Sequence, residues 1–72
     1  MIRLKVVGLA HRKGTCFRCK KIVYPDDSVL LLTEDGRELL AHGNCAFVEI
    51  IRRKDGKLEI GARASELFVT SL

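Results

Sequence analysis

The sequence predicts a small α+β domain built of β-hairpins, a tight knuckle and one short helix. Three observations predict it. Cys16-Phe17-Arg18-Cys19 and His42-Gly43-Asn44-Cys45 place four metal-seeking side chains in two pairs of the same spacing. Residues 2–7 and the apolar runs on either side of Asp35-Gly36 carry the patterns of strands and a hairpin. Phe47, Ile50 and Ile51 fall at i, i+3, i+4, the spacing of one helix face.

The paired ligands explain how so short a chain can hold a shape. Two residues between ligands let a tight turn aim both side chains at one point. A second such pair completes a tetrahedron with metal–sulfur bonds of about 2.3 Å and metal–nitrogen bonds of about 2.0 Å. A thiolate-rich set of this kind selects zinc over magnesium or calcium, which prefer oxygen. Iron is the alternative metal, and one histidine in four suits its cysteine-held clusters less well. Cys16, Cys19, His42 and Cys45 are therefore the expected ligands of one structural Zn2+. All four positions are filled by protein, which argues for a structural role and against hydrolysis at the metal. A redox dithiol at Cys16 and Cys19 is disfavoured, because such motifs open a helix and this one runs into a strand-like stretch. Three cysteines cannot all pair as disulfides, which points to a reducing compartment. His11, beside Arg12 and Lys13, reads as a solvated side chain.

Taken in order, Ile2, Leu4 and Val6 alternate with Arg3, Lys5 and Val7, the period of a half-buried strand that Gly8 ends. Gly14 opens the turn into the first ligand pair. Residues 20–24 run back as a short strand to the turn cluster Pro25-Asp26-Asp27. Residues 29–32 are four consecutive apolar side chains, fitting a strand buried on both faces or one face offered to a partner. Asp35-Gly36 signals a type I′ hairpin, and residues 37–41 return the chain to His42. Residues 44–54 are expected as the helix, capped by Asn44, with the Phe47, Ile50, Ile51 stripe on the core. The competing pattern is a hairpin joining residues 48–53 to 58–60 through Asp55-Gly56, favoured by β-branched Val48, Ile50 and Ile51. Residues 58–60 read as a strand either way. In residues 62–72, Leu67, Phe68 and Val69 fit a short helix or a last strand equally.

The ligand order CxxC then HxxC resembles that of poly(ADP-ribose) polymerase-type zinc fingers and of the first half of a LIM domain. Nothing after Cys45 could build the second cluster of a complete LIM domain. What remains resembles a single treble-clef-like finger over about residues 14 to 54, with a knuckle, a hairpin and a helix opening on the last two ligands. The resemblance implies Cys16, Cys19, His42 and Cys45 as ligands. It does not extend to DNA-break binding, since no base-stacking residues of those fingers can be matched.

With 72 residues, the chain is expected to form one zinc-binding domain, near the lower limit for a self-sufficient core. An apolar content of 47% is ordinary for a folded chain. Arg3 and Lys5 interrupt the first apolar stretch, unlike a signal peptide, and no apolar run reaches the roughly 20 residues of a membrane span. A soluble, cytoplasmic protein with no membrane partner is expected. No phosphate-cradling loop or serine–histidine–acid set is recognisable, so neither an enzyme nor a small-molecule substrate is expected. Asp26-Asp27 and Glu34-Asp35 read as turn residues.

The formal charge is +4, and zinc on three thiolates lowers it to about +3. Two basic clusters stand out: Arg12, Lys13, Arg18, Lys20 and Lys21 around the first ligand pair, and Arg52, Arg53 and Lys54, with Lys57, after the second. Brought together they would contact phosphates, with Phe17 and Tyr24 as base-stacking groups. Otherwise they are a solvated face. The preferred function is a structural-zinc binding module acting as a protein-interaction adaptor or regulator. Apolar residues 29–32 and 67–72 would exceed what the core can bury and present a patch to a protein partner or a second copy. A nucleic-acid-binding zinc finger is the alternative.

Overall fold

The computed structural model describes residues 1–61 and 66–70. Within them the chain is almost entirely β. Strands β1 (Ile2–Leu9), β4 (Ser28–Thr33), β5 (Glu38–His42) and β8 (Glu66–Val69) form one antiparallel sheet in the order β5-β4-β1-β8. Two short hairpins stand beside it, β2 (Gly14–Thr15) with β3 (Ile22–Val23), and β6 (Ile50–Arg52) with β7 (Leu58–Ile60).

The period-2 pattern of β1 appears as expected, with Leu4 buried and Arg3, Lys5 and Val7 exposed. A bulge between Val6 and Gly8 shifts its register against β4, adding local twist there. Pairing Leu4 with Leu67 and Val29 with Ala41 places these four on one face of the sheet, where all are buried. On the other face, Leu30 and Leu40 are buried where Gly14 and Cys16 lie against β5. Val29, Leu30 and Leu31 are thus covered on both sides of the strand rather than offered as a patch, and Leu32 is half-buried. Farther along that second face, Phe68 is exposed. Residues 67–69 form a strand rather than a helix because β8 pairs with the edge of β1 that β4 leaves open. Of the C-terminal stretch, residues 62–65 and 71–72 lie outside the described residues.

Two sequence expectations are corrected. Among the described residues there is no α-helix, and the one helical stretch in residues 44–54 is a 3-10 turn, Asn44–Ala46. Phe47, in the left-handed conformation at φ 56°, donates its NH to the Asn44 carbonyl and stops the turn. Val48 NH then returns to the Gly43 carbonyl at 2.8 Å, so Ala46 and Val48 face the core and Phe47 points to solvent. A Cβ on Gly43 would sit 2.9 Å from the Val48 carbonyl oxygen, so this close return needs glycine. The β-branched residues that follow take the hairpin alternative, Ile50 pairing with Ile60 and Arg52 with Leu58.

The second correction concerns the Asp35-Gly36 turn. Gly36 has φ 91°, but Asp35 is not among the left-handed residues, so the turn is not type I′. Thr33 NH donates to the Arg37 carbonyl and Gly36 NH to the Thr33 carbonyl, giving a three-residue loop with its glycine in a bulge.

Candidate metal centre

The first ligand pair sits in the loop between β2 and β3. Cys16 NH donates to the Lys21 carbonyl at 2.8 Å and Lys20 NH to the Cys16 carbonyl at 3.0 Å, closing the knuckle. Lys20 takes a left-handed φ of 67° to turn the chain back. Cys19 NH points at the Cys16 sulfur, 3.5 Å away. The knuckle is docked by its backbone: Phe17 NH donates to the Leu40 carbonyl at 2.9 Å, covering the outer edge of β5.

The second pair arrives on β5 and the 3-10 turn. His42 is the last residue of β5, held opposite Ser28, and Cys45 lies in the turn that Gly43 and Phe47 shape. The Cys16, Cys19 and Cys45 sulfurs and one His42 ring nitrogen all lie within 4.8 Å of one another. His42 Nδ1 is 3.3 Å from the Cys19 sulfur and 4.0 Å from the Cys45 sulfur. Tetrahedral coordination at the bond lengths of zinc asks for ligand separations of about 3.5–3.8 Å. The four residues expected from their spacing therefore form a tetrad compatible with one metal ion.

The orientation of His42 sharpens the fit. Its Nε2 lies 2.9 Å from the Ile22 carbonyl and donates to it, which leaves the Nδ1 lone pair directed at the three sulfurs. Ile22 is not identifiable from the sequence, because any residue supplies a carbonyl. Arg18 is a second support of this kind. Its guanidinium reaches from the first ligand pair to the Cys45 carbonyl at 3.3 Å and lies over the Phe47 ring at 5.1 Å.

The thiols are not equivalent. Burial by itself would raise Cys16, but backbone NH groups of Cys19, His42 and Arg18 directed at its sulfur bring it down to about 6. Cys45 is pushed up to about 11, first by burial and then by hydrogen bonding and charge from Cys16 and Cys19. His42 is raised: burial opposes the shift, and hydrogen bonds to Cys16, the Ile22 carbonyl and Cys19 outweigh it. Sulfurs this close repel as thiolates, and a divalent cation among them would reverse that by stabilising all three. No disulfide links the three cysteines.

Among the described residues the lysines and arginines are all exposed, but they divide. Arg12 pairs with Glu38 at 3.1 Å and Arg53 with Glu59 at 3.4 Å. Lys13 lies over the Tyr24 ring at 5.9 Å. Arg52 lines a cleft together with Asp26 and Asp27, while Lys54 lies in the tip of the β6–β7 hairpin. Among the described residues, the ion pairs do not include Arg18, Lys20 or Lys21. His11 is exposed, as expected of a solvated side chain. Asp27 accepts from Tyr24 NH at 3.1 Å and so serves its turn. Phe47 and Phe68 are 63% and 54% exposed, and neither is legible as a surface residue from the sequence, whose periodicity places Phe47 in the core.

In comparisons with protein-family models, curated proteins and solved structures, none matches this chain.

Proposed function

We propose that the chain is a small structural-zinc binding module, an adaptor or regulator that works through its surface rather than as an enzyme. Cys16, Cys19, His42 and Cys45 would hold one Zn2+. The observation that carries this reading is the histidine: its Nε2 is engaged by the Ile22 carbonyl and its Nδ1 faces three sulfurs. Four protein ligands complete a tetrahedron, so the metal crosslinks the knuckle to the end of β5 without activating water. The ligand order supports kinship with single CxxC…HxxC fingers, with a 3-10 turn and hairpin in place of the helix.

A protein partner or a second copy would be met through exposed apolar groups, among them Met1, Ile22, Tyr24, Phe47 and Phe68. Val29, Leu30 and Leu31 take no part in this, since they fill the core. Elemental analysis of reduced protein tests the metal reading. One zinc per chain is expected, with loss of cooperative melting on chelation; a metal-free chain that melts unchanged would end it.

A further inference from the structure

Every acidic residue of this chain lies at or after Asp26, whereas Arg3, Lys5, Arg12, Lys13, Arg18, Lys20 and Lys21 precede it. The fold makes use of that asymmetry. A cleft of about 480 Å³ is lined by Phe17, Arg18 and Lys20 of the knuckle and by Phe68 of β8 with Thr70 just beyond it. No acidic side chain is among its described lining residues. Its size is in the range of ligand sites. Apolar walls alone would suit many occupants, but two cations and two aromatic rings in one cleft, with no acidic side chain described beside them, suit fewer.

We infer that this cleft binds single-stranded nucleic acid, with Arg18 and Lys20 on phosphates and Phe17 and Phe68 against bases. Flat rings take any base face, and cations beside them track the backbone. Arg18 is held in place for this by the Cys45 carbonyl and the Phe47 ring, so little side-chain freedom is lost on binding. A duplex hides its base faces and cannot use the rings. An acidic peptide would use the cations but gain nothing specific from stacking. The inference goes beyond the protein-binding role proposed above and rests on the metal reading for the position of the knuckle.

The test is fluorescence anisotropy of labelled single-stranded dT and rU 12-mers with the full chain, its zinc content and melting measured on the same sample. A 12-bp duplex and polyglutamate serve as competitors. Binding to the single strands ahead of both competitors is expected. Phe68→Ala should weaken it about 5- to 140-fold, the value of one base–aromatic stack. Lys20→Asn keeps a residue that tolerates the left-handed backbone and should reduce the slope of log affinity against log salt by about 0.7. Lys54→Gln, on the far hairpin, should change neither. A folded, zinc-loaded chain that ignores the 12-mers, or binds polyglutamate equally with no effect of Phe68→Ala, overturns the inference and leaves the metal reading intact. A chain without zinc whose binding still depends on Phe68 and Lys20 does the reverse.

Discussion

Residues 33–37 and 53–57 bend the chain in the same way. In each, the first residue's NH donates to the fifth residue's carbonyl, at 2.9 and 2.8 Å, and the glycine NH donates back to the first carbonyl, at 3.1 and 3.0 Å. Gly36 and Gly56 take φ of 91° and 84°. Beyond the turn the two hairpins diverge. β4 and β5 pair over five residues, bury Val29, Leu31 and Ala41 completely, and end in His42 of the tetrad. β6 and β7 form a separate sheet of three pairs, with Ile51 38% exposed and only Ile50 and Ile60 packed against the core. Local turn chemistry fixes where a chain reverses, whereas burial decides how much that reversal contributes to stability.

The strongest way to break this contrast is through the metal. Cys16→Ser or Cys45→Ser unties the end of the first hairpin from the knuckle. Apparent zinc energies in finger peptides, about 10–16 kcal/mol, match or exceed the stability of a whole domain, about 5–15 kcal/mol. Either variant should therefore lose its cooperative transition in thermal melts followed by circular dichroism. Melting at the wild-type temperature would contradict the crosslink.

Next comes the core. Leu31→Ala should cost about 2–5 kcal/mol in urea denaturation of zinc-saturated protein, because a fully buried leucine leaves a cavity. Ile51→Ala on the second hairpin should cost about 0.5 kcal/mol or less. Equal losses would mean that the β6–β7 hairpin is as much a part of the cooperative unit as β4–β5.

Glycine substitutions sharpen the comparison because the local perturbation is matched. Gly36→Ala and Gly56→Ala each force a Cβ into a left-handed backbone, at about 1–2 kcal/mol, and neither Cβ meets any atom within 4 Å. Gly36→Ala should lower global stability by that amount. Gly56→Ala should instead speed amide hydrogen exchange in residues 50–60 and leave the melting temperature nearly unchanged, since a peripheral hairpin opens by itself. A fall in melting temperature as large as that of Gly36→Ala would show that the second hairpin does not open separately.

The smallest effect lies in the turn side chains. Asp35 accepts from the Thr33 hydroxyl and lies 3.1 Å from Arg37 Nε, and these partners, Thr33 first, hold its carboxyl below the ordinary value. A lowered carboxylate stabilises the fold above its unfolded value and loses that contribution as pH falls through the folded one. In carboxyl-carbon NMR titrations, Asp35 should begin to protonate at lower pH in the wild type than in Thr33→Val. Coincident curves would remove the hydroxyl from this account.

Much of the site was legible from residues 16–45, because ligand chemistry requires particular side chains at particular spacings. Cys16, Cys19, His42 and Cys45 come together as the two motifs imply. The atoms that orient them are less visible. The Ile22 carbonyl is backbone, and Arg18 reaches Cys45 across 27 positions of sequence. The Phe47, Ile50, Ile51 spacing misled because a stripe of three satisfies a helix face, while β-branching and Asp55-Gly56 satisfy a hairpin. The two readings share their residues, and only contacts outside the segment separate them.

By itself the sequence determined the alternation of β1, the apolar run of β4, the chain reversal at Asp35-Gly36 and the identity of the tetrad. Each is set by neighbours along the chain or by side-chain chemistry. Only the tertiary structure decided that Gly43 admits the Val48 carbonyl, turning Phe47 outward, and that Phe17 closes the β5 edge. It also decided that β8 joins β1 and brings Phe68 into the same cleft as Arg18 and Lys20. These are meetings of distant segments, whose energies come from burial and backbone pairing that no local pattern encodes.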